Sequence, residues 1–287
     1  MHNQIKQFLL YLHETKHRTD KTIANYSFYL TRFHKWFSVR NLSKIEKLNE
    51  KHIVEYKKHL KGVLPRLSKE TRNYHLIALR NFLKYFARNG NNCLYYNKIK
   101  LIKTEKKPIN TLGRDELSLL LDAPLELAQD KRVQARDKAI LELLICTGLK
   151  VSQISILEKK NILLGKSKLK INTKNGISNL GLSNQSVHWL DQYLKLRNDN
   201  LPFLFISNDR ASSNRVRNKI SKALSARSIE RIVKKYQSIA GIDKTVTPNS
   251  LRHYYAQKLI LKGEHLDIIK QKLGSKSDNS INQYINS

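Results

Sequence analysis

Apolar residues recur at helical spacing through most of this chain. Ile5, Phe8, Leu9 and Leu12 form one stripe, and Ile23, Tyr26, Leu30, Phe33 and Phe37 form a second. Both follow the 3–4 spacing of a helix with one buried side. Ile53, Tyr56 and Leu60 share a face of a shorter segment. Ser68 offers an N-cap to a fourth stretch carrying Leu76, Leu79, Phe82, Leu83 and Phe86, which Asn89-Gly90 ends. Four helices are predicted over residues 1–90.

The pattern changes after Gly90. Residues 91–110 are polar and lysine-rich (Lys98, Lys100, Lys103, Lys106, Lys107) and close on Pro108, the composition of a linker. Beyond it, Thr111 is a candidate N-cap for a helix over 115–122. Arg136–Thr147 is strongly apolar and stops at Gly148. Leu169 and Ile171 alternate before Asn175-Gly176, a two-residue turn signal, and Leu180 and Leu182 follow, so residues 168–183 are predicted as a hairpin. Helices are predicted again at 184–197, 226–240, 248–262 and 265–273, with a short strand at 203–207. The fold class is mainly α (α+β): a four-helix N-terminal domain at 1–97, a linker at 98–110, and a mostly helical domain at 111–287 with a small antiparallel sheet. The 287 residues suffice for two separate cores.

Charge adds a partner to this picture. Lys and Arg number 54 against 23 Asp and Glu, a net +31. The excess is shared, with 24 basic and 7 acidic residues in 1–107 and 30 and 16 in 108–287. Two basic halves suit a protein that grips a polyanion from two sides. A genome rich in A and T would also raise Lys along with Asn and Ile, but would not deplete the acids. Candidate DNA contacts are Lys69, Arg72, Arg80 and Lys84 on the fourth helix, and Arg227 and Arg231 on the 226–240 helix.

Other classes find no support. Cys93 and Cys146 stand far apart without a CxxC or a histidine cluster, which argues against a zinc site or disulfide scaffold and fits a reducing cytosol. No apolar run reaches the roughly 18–20 residues of a membrane span, and the first residues carry no signal-peptide core, so a cytoplasmic location without membrane contact is expected. Gly165-Lys-Ser167 mimics the end of a P-loop, but position 160 is Lys rather than Gly. No metal, cofactor or small-molecule ligand is expected.

The candidate chemistry lies in the last forty residues. Arg252 sits on a helix opened by Thr247-Pro248, and Tyr284 lies in a polar tail. Four separated motifs extend this: Thr147-Gly-Leu-Lys-Val-Ser-Gln-Ile154, a hairpin lysine 24 residues after Lys150, Asn249-Ser-Leu-Arg-His253, and Leu273-Gly-Ser275 with Tyr284 nine positions further on. In order and spacing they resemble the tyrosine recombinases, the phage integrases and Xer-type enzymes. Lys21-Thr22-Ile23 with Tyr26, and the stretch from Thr71 to Phe82, resemble that family's core-binding domain.

The resemblance implies the fold of the DNA breaking-rejoining enzymes and a reaction that needs neither metal nor ATP. Tyr284 would attack the scissile phosphate, release a 5′-hydroxyl and keep the other strand as a 3′-phosphotyrosyl ester. Arg252 would be the second phosphate-gripping arginine and Lys174 the general acid. Lys150 stands where the family has its first arginine, Asn249 where it has a histidine, and Ser275 where it has histidine or tryptophan. Gln153 replaces a glutamate, with loss of an orienting contact implied, and His253 takes a packing role. The implied partners are double-stranded DNA and either a homotetramer on that DNA or a second recombinase. Three residues follow Tyr284, so subunits are expected to associate through other surfaces unless this copy has been shortened.

The substitutions leave a second function open: a catalytically impaired protein of the same fold that acts as a DNA-binding or accessory factor. A type IB topoisomerase shares the chemistry but suits the helical N-terminal part less well. A helix-turn-helix repressor over 226–260 would leave Lys174 and Tyr284 unexplained.

Overall fold

The computed structural model describes residues 1–40, 42, 44–62, 67–105, 111–127, 130–173, 176–207 and 223–274. It divides into two compact units, Met1–Lys107 and Pro108–Ser287, each with its own hydrophobic core. Most described residues are helical, with one three-stranded antiparallel sheet.

The first unit comprises α1 (His2–Glu14), α2 (Asp20–Ser38), α3 (Glu50–Gly62) and α4 (Lys69–Arg88). Ser68 Oγ accepts the Thr71 N–H at 3.1 Å and starts α4 as the pattern predicts, and Gly90, at φ +78°, follows its end. The four stripes converge on Phe8, Leu30, Phe33, Phe37, Tyr56, Leu60, Leu79 and Phe82, all fully buried. A histidine enters this core. His75 is 1% exposed, with the Tyr56 hydroxyl 3.4 Å from Nδ1 and Arg32 Nη1 3.4 Å from Nε2. Burial first, and then the Arg32 charge, push its pKa down to about 4, so the imidazole is neutral near pH 7.

The stretch after Gly90 behaves differently from a free linker as far as Glu105. Ile99 is fully buried in the first core, with Cys93, Leu94, Tyr96 and Ile102 packed against it. Asn73 holds this strap to α4: its Nδ2 donates to the Ile102 carbonyl at 2.9 Å and its Oδ1 accepts the Ile102 N–H at 2.8 Å. The Lys84 ammonium sits 5.3 Å from the Tyr96 ring, and Lys69 pairs with Glu105 at 3.4 Å. The apolar residues scattered among the lysines are what seat the strap; the charge count concealed them.

The second unit begins with α5 (Arg114–Glu126). Its N-cap is Gly113, not Thr111, because Glu116 reaches back to accept the Gly113 N–H at 2.7 Å. Lys244 instead takes the Thr111 carbonyl, at 2.7 Å, and pairs with Glu116 at 2.6 Å. Helix α6 (Lys131–Thr147) starts five residues earlier than expected, where the Asp130 carboxylate accepts from Arg132 and Val133 N–H groups at 2.8 and 3.2 Å. It is buried along most of its length and is the axis of the unit.

Helix α7 (Val151–Ile154) and the sheet follow: β1 (Ile162–Leu163), β2 (Lys168–Thr173) and β3 (Gly176–Gly181), in that order. Thr173 pairs with Gly176, so Gly176 belongs to β3, whereas the expected turn signal Asn175-Gly176 placed it in the turn; residues 174–175 lie outside the described residues. Gly176, at φ +105°, opens β3 instead of closing the turn. Lys174 itself lies outside the described residues. Strand β1 was not foreseen, being two residues long and too short to show alternation. Residues 203–207 form isolated bridges, Glu158 with Phe203 and Ile206 with Ala223, in place of the expected strand. Helices α8 (Asn184–Lys195), α9 (Ala226–Ile239), α10 (Pro248–Leu261) and α11 (Leu266–Leu273) complete the unit. Among the described residues no helix is long and apolar enough to cross a membrane.

A buried ionic knot ties these elements together. Arg136 Nε and Nη2 both lie 2.8 Å from Asp137 Oδ1, and Nη1 donates to the Ile206 carbonyl at 3.1 Å. The Tyr236 hydroxyl of α9 donates to the other Asp137 oxygen at 2.9 Å.

Candidate active site around Arg252

Three of the sequence motifs meet at one guanidinium. The first is the end of α6. Thr147 Oγ1 donates to the Leu143 carbonyl at 2.6 Å and accepts the Leu149 N–H at 3.3 Å, while Gly148 turns into the left-handed region at φ +60° and caps the helix. Only glycine fits there, because a Cβ would collide with the Tyr255 ring and meet Leu273 at 3.2 Å. The chain then reaches Lys150, the N-cap of α7, whose side chain is exposed.

The second motif is the start of α10. Thr247 and Ser250 cap each other reciprocally, at 3.1 and 3.2 Å, and Pro248 occupies the first turn. This fixes the helix phase so that Arg252 points inward, 5% exposed. The third is the end of α11, where Leu273 is buried and Gly274 caps at φ +59°.

Arg252 joins the first and third motifs. Nη1 donates to the Gly148 carbonyl at 2.6 Å and Nη2 to the Leu273 carbonyl at 2.5 Å. A guanidinium carries five N–H donors, of which these two carbonyls take two among the described residues. Among the described residues no carboxylate lies within ion-pair distance of it. Among the described residues the charge is therefore buried and hydrogen-bonded to backbone carbonyls with no counter-charge, a condition that an incoming anion relieves.

His253, the next residue, responds to this charge. His253 is buried, and its pKa falls below 6.5 through burial first and the Arg252 charge second. Asn249, exposed at the rim, places its amide Nδ2 3.1 Å from His253 Nε2, so the neutral ring accepts from the amide. Burial pushes the Tyr255 hydroxyl up to about 12, with lesser contributions from Cys146 and Glu264. Among the described residues no group of His, Cys, Asp or Glu could hold a metal.

Residues 110–287 match the model of the phage integrase family, and residues 5–90 match that of the phage integrase N-terminal SAM-like domain. The chain belongs to the phage integrase family. A tyrosine recombinase XerC of Natranaerobius thermophilus is 29% identical over 282 residues, covering 96% of this chain and 90% of that protein. A tyrosine recombinase XerD of Staphylococcus epidermidis is 28% identical over 287 residues with the same coverage. The fold is that of the XerH site-specific recombinase bound to its difH substrate (TM-score 0.73, 21% identity, 92% of this chain and 76% of that one). It is also that of a lambda integrase dimer bound to a core site (TM-score 0.73, 16% identity, 99% and 94%).

Within this integrase-family frame the expected site residues divide into two groups. Arg252, Asn249 and Lys150 are placed as above. Tyr284, Lys174 and Ser275 lie outside the described residues; Ser275 follows Gly274 directly, two positions after the carbonyl that Arg252 holds. Gln153 caps α7, its Oε1 accepting the Lys150 backbone N–H at 3.1 Å. An amide oxygen serves that donor as a carboxylate would.

The expected DNA-contacting residues fare unevenly. Lys69 and Lys84 face the strap and Arg80 is half-buried beside Tyr96, so this flank of α4 is partly covered. Arg72 is half-buried. Arg227 and Arg231 are exposed on α9, with Arg231 Nη2 3.3 Å from Ser228 Oγ. The integrase sequence reading missed Tyr255 as the wedge against Gly148, and missed the Arg136–Asp137–Tyr236 knot. A charged pair opening an otherwise apolar stretch was the available signal for the knot.

Proposed function

We propose that this protein catalyses site-specific DNA recombination or integration by cutting and rejoining strands through a 3′-phosphotyrosyl intermediate. The observation that carries the reading is Arg252: a buried guanidinium binding the carbonyls of Gly148 and Leu273, two of the motif segments. Such a group fits the charge that builds on the non-bridging oxygens of a phosphodiester under attack. Tyr284 forms a bond to phosphorus as the bond to the 5′ oxygen breaks, the phenol proton passing to water. Lys174 protonates the leaving 5′ oxygen, and attack by a 5′-hydroxyl reverses the sequence and rejoins the strands, so the bond energy is retained without ATP. Lys150 contributes charge beside Arg252, and Asn249 and Ser275 contribute hydrogen bonds.

In this reading residues 1–97 are the core-binding domain, 98–110 the connection and 111–287 the catalytic domain. The partners are double-stranded DNA and three further subunits of this protein or of a second recombinase, in the cytoplasm. XerH is described bound to its difH substrate, and a lambda integrase tetramer bound to a Holliday junction, which supports the assembly by analogy of fold. The experiment is covalent capture on a nicked duplex carrying a site selected by the protein itself. A denaturation-resistant adduct with the native protein, absent in Tyr284→Phe, is the expected result. Tight binding without any adduct would replace this reading with that of a non-cleaving DNA-binding protein.

A further inference from the structure

The first unit presents an aromatic platform that no catalytic role explains. Phe28 on α2 and Tyr74 on α4 are each 55% exposed; single exposed rings are common on a protein surface, and it is their grouping that carries meaning here. They belong to one cluster. Phe28 lies edge-on to Tyr29 at 5.7 Å, Tyr29 stacks on Tyr74 at 6.4 Å and 13°, and the Arg32 guanidinium covers Phe28 at 4.5 Å. Arg32 is itself anchored, since Nη1 lies 3.4 Å from the buried His75. The platform is thus held from beneath and open above.

Its surroundings select the partner. From Lys21 to Ser38 and from Thr71 to Arg88 there is no carboxylate, while Lys21, Arg32, Lys35 and Arg72 supply positive charge. The acids of both helices are confined to their first turns, at Asp20 and Glu70. A protein partner of ordinary composition gains little from such a field, whereas a polyanion gains much. Lysines 69 and 84 are already turned toward the strap, which leaves the ridge between α2 and α4 as the open part of this surface.

The geometry points to Phe28 and Tyr74 as specificity-determining residues that read thymine by apolar contact with its 5-methyl group in the major groove, while Arg32 fixes the Phe28 ring and the flanking cations hold the phosphates. Apolar contact with that methyl group is one of the few ways an aromatic ring face distinguishes a base. Cations on phosphate set register but carry no sequence information, so the rings are the sequence-reading element of this face. The inference rests on the recombinase reading above, because it assumes that DNA is the substrate.

The test uses the full chain and duplexes recovered from a random pool by binding. The selected duplex is then remade with deoxyuridine in place of every thymidine, which removes only the methyl groups. Native protein is expected to lose affinity by about fourfold for each methyl in contact, and Phe28→Ser and Tyr74→Ser to lose most of this difference. Both side chains are exposed, and unchanged circular dichroism and thermal midpoints verify that the variants are folded. Equal affinity of native protein for the two duplexes, or the same uracil penalty in both variants, would overturn the inference while leaving the recombinase reading intact. Self-association of the DNA-free protein that Phe28→Ser abolishes would also overturn it, by assigning the platform to a second copy. Failure to recover any bound duplex would instead remove the recombinase reading.

Discussion

Arg252 and Gly148, 104 positions apart in the chain, are joined by a 2.6 Å hydrogen bond from guanidinium to backbone carbonyl. The same side chain holds the Leu273 carbonyl, so one residue sets the distance between the loop that carries Lys150 and the turn that leads to Ser275. Substitution by lysine keeps the charge but reaches only one carbonyl at a time. Single-turnover cleavage by Arg252→Lys is expected to fall roughly 10²–10³-fold, the cost of one preorganised donor to a transition-state oxyanion.

Gly148→Ala tests the other side of the joint. An alanine at φ +60° costs roughly 1–2 kcal/mol in backbone strain, and its Cβ runs into the Tyr255 ring, adding roughly 1–3 kcal/mol of overpacking. Urea titration should show this loss, and Tyr255→Ala in the same chain should recover part of it. Full additivity of the two single effects would exclude the collision as the cause.

Asp137→Asn leaves Arg136 buried without its counter-charge, and should cost about 3–5 kcal/mol. Tyr236→Phe removes one neutral donor to the same carboxylate and should cost about 1–2 kcal/mol. Thermal melts that rank the two the other way would disprove the knot's ionic character.

Acid should weaken the first unit through His75. Its folded pKa of about 4 lies below the ordinary 6.5, so between those values the unfolded chain takes up a proton that the native chain refuses. Stability is therefore complete above about pH 6.5, declines as the pH falls toward about 4 and levels off below it. The contribution is at most about 3 kcal/mol, one unit being about 1.4 kcal/mol. Denaturation of His75→Gln at pH 7 and pH 4.5 should show this part of the slope removed.

Lys150→Arg restores a two-pronged donor at an exposed position next to the site, and covalent capture should become faster with it, by roughly tenfold or more. Gln153→Ala should do the reverse by freeing the Lys150 backbone N–H, at a stability cost of about 1 kcal/mol. Unchanged capture rates in both would show that position 150 lies apart from the chemistry.

The helices were legible because their apolar stripes and their caps agreed, as at Ser68 for α4 and Gly148 for α6. Misreadings arose where a distant residue decided the outcome. Gly113 rather than Thr111 caps α5 because Glu116 folds back and Lys244, more than a hundred positions away, takes the Thr111 carbonyl. The strap read as a linker because local composition records its lysines, not the α4 flank on which Ile99 and Ile102 settle. Arg252 was evident as a candidate from motif spacing, yet its two carbonyl partners belong to backbone and leave no trace in residue identity. Gly176 was assigned to the turn from its Asn175-Gly176 signal, but its cross-strand pairing with Thr173 makes it the first residue of β3.

The double grip of Arg252 also bears on how an inert control should be made. Deleting that side chain would slacken two segments of the scaffold as well as silence the chemistry, so a dead variant built that way confounds inactivity with deformation. A control that subtracts a single oxygen atom from the nucleophile leaves both of the Arg252 hydrogen bonds in place, and is the one to compare with every other variant.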